Sequence, residues 1–328
     1  MFPTLRYWLV AVQALFVLAL AAISARPVPF EFSRPMTAAL MIWLVGFIFL
    51  LARTAIFETR ADRPLTTLMV GIKGQAGILW KAFSYALLLG LAMALHGWAK
   101  TMIPFVDDFW ADPMLADLDH FLFGQDPWHL FRSEVLGAIF AKIYVSWFPV
   151  TFGMMGLLAF SRKDHGALFT AFLAILIIVG TIGQYVLPSA GPIFYERIGL
   201  GSRFAEAIAT GDPSVRFLAD YLWNNYQSGG ANLGTGISAM PSMHVTMAVW
   251  TVFAAYALWR PLVAPAACYA LIIYVTSVAS GWHYATDGIV GAFLAAAICA
   301  WLAKRARPSP DAAGKPQPAE PAPVGILA

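Results

Sequence analysis

Apolar residues in this chain gather into long runs, near 7–25, 36–55, 77–97, 135–159, 166–187, 242–259, 262–280 and 284–303, with polar stretches between them. Each run approaches the ~20 residues a helix needs to cross about 30 Å of hydrocarbon. Backbone groups in lipid must be bonded within their own segment, which favours helices over open strands. The pattern therefore predicts an all-α, polytopic membrane bundle of about eight transmembrane helices. The first run has Arg6 ahead of an apolar core and small residues near its end, as a cleaved signal peptide would. Many spans follow and none needs a cleaved signal to insert, so the expectation is an uncleaved first helix.

The polar stretches orient the helices. Residues 52–76 carry Arg53, Arg60, Arg63 and Lys73, later turns carry Arg162, Lys163 and Arg260, and the tail carries Lys304, Arg305, Arg307 and Lys315. Eight alternating helices put all of these on one side. The connection 98–134, with Asp107, Asp108, Asp112, Asp117, Asp119, Asp126 and Glu134, falls on the other. The excess of positive charge on cytoplasmic loops then places both termini in the cytoplasm. His244 and His283 fall at the extracytoplasmic entrances of the sixth and eighth helices.

Composition agrees with a bilayer protein. Of 328 residues 60% are hydrophobic and 12% charged, with mean hydropathy +0.69, against roughly 25% charged in soluble domains. No Lys/Arg cluster is interleaved with aromatics, which sets nucleic acid aside as a partner. Cys268 and Cys299 lie inside apolar runs and read as small packing residues. The outer connection 98–134 mixes acids with Phe105, Phe109, Trp110, Phe121, Phe123 and Trp128; it is either an interfacial amphipathic segment or a solvated loop with aromatic anchors. The connection 188–241 is richer in glycine, with Gly229, Gly230, Gly234 and Gly236. It either lets backbone approach a bound anion or serves as a flexible lid. Residues 56–76 suggest a short cytoplasmic surface helix, and the Pro/Ala-rich tail is expected to be disordered.

Chemistry concentrates in two stretches, Ser238–His244 and Gly281–Asp287, each placing a histidine at the lip of an apolar run. His283 and Asp287 are one helical turn apart, on one face. A carboxylate beside an imidazole fixes its tautomer and keeps the other ring nitrogen available for attack. A second histidine, His244, can protonate a departing oxygen near working pH. That division of labour suits phosphoryl transfer without a metal. The plainer readings are an interfacial packing residue for His244 and an aromatic belt around His283, between Trp282 and Tyr284. Asp287 resists such a reading, because a carboxylate heading an apolar helix is costly unless paired, near water or favoured by the helix dipole. With no clear third ligand, zinc is a poor alternative, and no cofactor is expected.

Pro241-Ser-Met-His244 and His283-Tyr-Ala-Thr-Asp287 resemble the second and third signature motifs of the type 2 phosphatidic acid phosphatase (PAP2) superfamily, membrane enzymes acting on lipid phosphate esters and anhydrides. The resemblance covers roughly 77–303 and implies a six-helix core with the first two helices outside it. It divides the chain into 1–76, a catalytic membrane domain 77–303 and a tail 304–328. It also implies that His283 is the nucleophile, that Asp287 orients it and that His244 protonates the leaving group. The sequence departs from the pattern at three places. Met243 stands where the second motif has glycine. Gly183-Gln-Tyr-Val-Leu-Pro-Ser-Ala-Gly-Pro192 stands where the lysine and Arg-Pro pair of the first motif are expected, and Ser277, after Thr276, where the third has arginine. These departures are similar to the inositol phosphorylceramide synthase and sphingomyelin synthase branch.

A phosphodiester carries one negative charge where a terminal monoester carries nearly two, which gives a physical reason to relax the cationic clamp. Tyr185, Ser189, Tyr195 and Ser242 are candidate donors to it, and Arg197 or Arg203 candidate charges. Both tyrosines can equally be ordinary interfacial residues, and both arginines solvated ones. The leading expectation is an extracytoplasmic lipid phosphotransferase, in a plasma membrane of bacterial type, moving a headgroup from a phospholipid donor to a lipid alcohol such as ceramide. The alternatives are a lipid phosphate or polyprenyl diphosphate phosphatase and a non-enzymatic membrane transporter.

Overall fold

The computed structural model describes residues 2–58, 70–131, 137–230, 232 and 234–306. Its principal helices are α1 (Phe2–Ile23), α2 (Ser33–Glu58), α3 (Ala76–Val106), α4 (Asp112–Phe123), α5 (Gly137–Val145), α6 (Trp147–Ala159), α7 (Gly166–Ala174), α8 (Pro213–Ser228), α9 (Met243–Leu258), α10 (Val263–Ala279) and α11 (Ala285–Arg305). No strand occurs among the described residues. Seven helical segments are long and apolar enough to cross a membrane: Phe2–Ile23, Ser33–Thr54, Ala76–Val106, Ala138–Ala159, Gly166–Tyr185, Arg260–Ala279 and Ala285–Arg305. Large apolar side chains such as Phe49, Leu15, Leu271 and Phe293 lie on their outer faces. In water such surfaces would be costly, so the chain is an integral, multi-spanning membrane protein.

The sixth predicted span is present but short. Helix α9 has 16 residues, about 24 Å at 1.5 Å per residue, because Ser242 caps its start and the Arg260-Pro261 turn follows its end. Two other predicted helices are interrupted. The run 135–159 breaks at Ser146, between α5 and α6, ahead of Pro149, which has no N–H to offer the preceding turn. The run 166–187 begins as α7, widens into a π-helix over Ile175–Ile182 and tightens into a 3-10 turn at Gly183–Tyr185.

Helix α1 is tied into the bundle by polar side chains. Arg6 Nε donates to Thr170 Oγ1 at 2.8 Å and Gln13 Nε2 to Thr181 Oγ1 at 2.9 Å, both buried contacts with the fifth span. Cys268 is exposed, Cys299 is buried, and both are free. Residues 70–74 are helical; the rest of the predicted surface segment between Glu58 and Val70, and the tail beyond Ala306, lie outside the described residues.

The acidic connection is more ordered than either reading of its sequence. Helix α3 runs on to Val106, and α4 follows with an inverted amphipathic pattern. It buries Asp112, Leu115, Ala116 and Asp119 and exposes Met114, Leu118, Phe121 and Leu122. Beside the C-terminal end of α3, a cavity of about 540 Å³ is lined by Arg26, Asp107, Asp108, Tyr226 and Gln227 among others.

Candidate active site

Two segments bearing histidine meet under a strap formed by residues 237–241. The strap pairs with residue 189: Ala239 N–H donates to the Ser189 carbonyl at 2.8 Å and Met240 N–H to Ser189 Oγ at 3.0 Å. Ser242 then starts α9, and its N–H donates to the Asp287 carbonyl at 3.1 Å, which locks the two segments together. Before α11, the Ser277 carbonyl accepts from the N–H groups of Trp282 and His283, closing the turn that presents the second histidine. Helices α9 and α11 cross closely at Gly291, where a Cβ would come within 2.9 Å of the Ser242 carbonyl oxygen.

Within this frame the two imidazole centroids lie 5.7 Å apart. His283 Nδ1 is 2.9 Å from the Ala239 carbonyl oxygen and 3.4 Å from Asp287 Oδ2. Both neighbours are acceptors, so Nδ1 carries the proton and Nε2 is the basic nitrogen. The nearer orienting group is thus the strap carbonyl, with Asp287 behind it. Asp287 Oδ2 also accepts the Tyr284 N–H at 2.9 Å, capping α11, while its Oδ1 is buried without a hydrogen bond. His283 lies in the turn between spans, where burial, reinforced by the charge of Lys100, pushes its imidazole down to about 3 and keeps it neutral. His244 Nδ1 lies 2.9 Å from the Tyr144 hydroxyl, with the Tyr144 ring stacked against it and Trp147 edge-on. Neither Nε2 has a hydrogen-bonding partner among the described residues.

Two aspartates from the acidic connection build the floor of this site. Asp112 is fully buried, and its carboxylate accepts the Ala190 N–H at 2.7 Å, the Gly191 N–H at 2.8 Å and the Tyr284 hydroxyl at 2.7 Å. Gly191 needs its glycine: φ is +95°, and a Cβ would meet the Trp282 carbonyl oxygen at 2.5 Å. Seven residues on and on the same face, Asp119 accepts from Ala285 N–H at 2.5 Å and Thr286 N–H at 3.0 Å, capping the first turn of α11. Burial pushes Asp112 up to about 6 and raises Asp119 as well, with their donors pulling the other way. Sequence reasoning used these acids only for topology. Their spacing of seven, with Leu115 and Ala116 between them, was the available sign of a buried acidic face.

The other candidates are distributed unevenly. Ser189 and Ser242 are buried beside the histidine segments, as the strap anchor and the α9 cap. Tyr185 donates its hydroxyl to the Ala99 carbonyl at 2.6 Å and packs edge-on against Phe16. Tyr195 is buried against Phe204, in a cluster with Tyr284. Arg197 pairs with Asp220 at 2.5 Å, and Arg203 with Asp117 at 2.6 Å and Asp126 at 2.7 Å, so both guanidinium groups are already engaged outside the histidine pair. Met243 packs its thioether on the π-helix, where a Cβ at Gly180 would come within 2.8 Å of its Cε. Ser277 is sealed in its turn, donating to the Tyr274 carbonyl at 2.7 Å.

A model of the PAP2 superfamily matches residues 114–301, which include both histidine segments and more than half of the chain. No curated protein and no solved structure matches the chain. The helical membrane architecture and this match together identify the chain as a member of the PAP2 superfamily, whose chemistry in general terms is that of phosphatases and phosphotransferases.

Proposed function

We propose that this protein is a lipid phosphotransferase, working at the extracytoplasmic face of a plasma membrane with both termini in the cytoplasm. It moves a phosphorylated headgroup from a phospholipid to a lipid alcohol such as ceramide, as in the inositol phosphorylceramide synthase branch. The observation that carries the reading is the opposed histidine pair: His283 has its Nδ1 tied to Ala239 and Asp287, and His244 stands 5.7 Å away with its Nδ1 on Tyr144.

In the first half-reaction His283 Nε2 attacks phosphorus and the phosphorus–oxygen bond to diacylglycerol breaks. His244, entering this step as the imidazolium, passes its Nε2 proton to the departing oxygen and is left neutral, with its Nδ1–H donating to the Tyr144 hydroxyl and Nε2 free to act as the base of the second half. The headgroup phosphate now sits on His283 as a phosphohistidine. In the second half-reaction His244 takes the proton of the acceptor hydroxyl, whose oxygen attacks phosphorus and releases His283. Asp287 and the strap carbonyl steady the imidazolium character that develops on His283 in both halves. The energy of one phosphodiester is conserved in another, so no nucleotide is needed. The absence of arginine at Ser277 supports a singly charged diester over a monoester.

The test is incubation of the purified protein with phospholipids labelled in the headgroup, with and without ceramide or diacylglycerol. Label appearing in a new lipid only when the alcohol is present supports transfer. Release of a water-soluble phosphate from a lipid phosphate or polyprenyl diphosphate, independent of any alcohol, replaces transfer with hydrolysis at the same histidines.

A further inference from the structure

The pair of histidines needs a positive charge for the phosphate, and the arginines expected to supply it are committed elsewhere, Arg197 to Asp220 and Arg203 to Asp117 and Asp126. Lys100 is differently placed. It lies near the outer end of α3, one turn beyond His96, and is half-buried with no hydrogen bond or ion pair among the described residues. Its stem runs beneath the approach to the strap: a Cβ at Gly236, whose φ is +102°, would come within 2.8 Å of Lys100 Cγ. The preceding carbonyl, Ala99, is held by the Tyr185 hydroxyl, which fixes this turn of α3 against the end of the fifth span. His96 and Met243 both close on Gly180, so α3, the π-helix and the start of α9 meet at one point. Gly236 leads directly into the strap whose Ala239 carbonyl holds His283 Nδ1 at 2.9 Å, which brings the Lys100 side chain to the edge of the histidine site.

An ammonium half-buried without a counter-ion is costly, and the cost falls when an anion arrives. We propose that Lys100 is the phosphate-holding cation of this site, pairing with a non-bridging oxygen of the substrate phosphodiester while His283 attacks. Lys100 thus replaces, from a different helix, the positive charges that the sequence lacks at Gly183–Pro192 and Ser277. One ammonium matches the single negative charge of a diester. Its pull increases as a second negative charge builds on the equatorial oxygens in the transition state. Gly236 is the residue that makes room for it, and the Tyr185 hydroxyl is a positioning group acting through the Ala99 carbonyl. This inference rests on the phosphoryl-transfer reading, so its test needs a readout that does not depend on turnover.

That readout is binding of inorganic phosphate to the full-length protein in detergent, followed by the fluorescence of Trp147 and Trp282 beside the histidines. Lys100→Met keeps the apolar stem on Gly236 and removes the charge; Lys100→Gln is a second neutral variant; Lys100→Arg restores a cation. Losing one charge-assisted hydrogen bond predicts phosphate binding about 10- to 100-fold weaker in either neutral variant, with Lys100→Arg recovering most of it. With labelled phospholipid, the same neutral variants should lose kcat/KM by at least as much. Phosphate binding unchanged in a folded neutral variant, or undetectable in the wild type, overturns the assignment even if His283 is still labelled by phospholipid. Phosphate binding that depends on Lys100 with no phospholipid labelling retains the anion site and overturns the transfer reaction.

Discussion

Asp112 offers a quantitative handle on the architecture beneath the histidines. Its carboxylate is fully buried, yet it receives three hydrogen bonds, from Ala190, Gly191 and Tyr284. Burial is the larger influence and lifts the group from 3.8 to about 6. Because the folded value lies above the unfolded one, the native state binds the proton more tightly between these two values. Stability from this group is therefore fully present below about pH 4 and is lost as pH rises through about 6. A rise of that size corresponds to about 3 kcal/mol at roughly 1.4 kcal/mol per unit. Asp112→Asn removes the titration and turns an amide N–H₂ toward one of the three donors, at a cost of about 1–2 kcal/mol that does not vary with pH. The raw pH profile also contains Asp119, raised by burial, and Asp126, lowered by Arg203 despite burial acting in the opposite direction. The informative quantity is thus the difference between wild type and variant. Unfolding free energies measured by denaturant titration in detergent at pH 4, 5, 6 and 7 should show the wild type losing about 2.4 kcal/mol of that total relative to Asp112→Asn across that range. Parallel profiles would refute the claim that Asp112 is a desolvated carboxylate held under the loop at residue 190.

Other consequences follow from single contacts. Asp119→Ala leaves the N–H groups of Ala285 and Thr286 without their acceptor; it should cost about 1–3 kcal/mol in the same titration and lower turnover by loosening the first turn of α11. Tyr144→Phe removes the partner of His244 Nδ1 while keeping the stacked ring, so it should lower kcat about tenfold and displace the pH–rate profile with little change in stability. Gly180→Ala would drive a methyl group into Met243 and should destabilise by about 1–3 kcal/mol; combining it with Met243→Gly should recover part of that loss, as measured by thermal unfolding.

The membrane class was legible, and seven of the eight expected spans are long and apolar enough to cross, because lipid imposes a length and an internal hydrogen-bonding rule on every span. What the runs could not show is where a span breaks or shortens. The break at Ser146 depends on Pro149 within a continuous apolar stretch, and the π-helix after α7 has no counterpart in the hydrophobic pattern. The pairing of His283 with Asp287 was visible as a spacing of four. The strap carbonyl of Ala239 was not, because it belongs to the backbone 44 residues away. Asp112 and Asp119 looked like loop charges, since sequence alone does not tell a solvated carboxylate from one that caps backbone N–H groups. The larger apolar residues Met114, Leu118, Phe121 and Leu122 point the opposite way from the usual amphipathic expectation, with Phe121 82% exposed on the face away from the site. Arg197 and Arg203 illustrate the converse limit: residue type suggested phosphate binding, whereas the carboxylates that engage them lie 23 and up to 86 residues distant in the chain.

The most direct test of the account is to trap the covalent intermediate. Wild-type protein mixed briefly with phospholipid labelled at phosphorus, then denatured at alkaline pH, should retain label in an acid-labile linkage that peptide mapping assigns to His283. His283→Ala should carry none, and His244→Ala should form the adduct far more slowly. Label retained in the folded His283→Ala protein, or mapped to another residue, would contradict the assignment of His283 as the nucleophile.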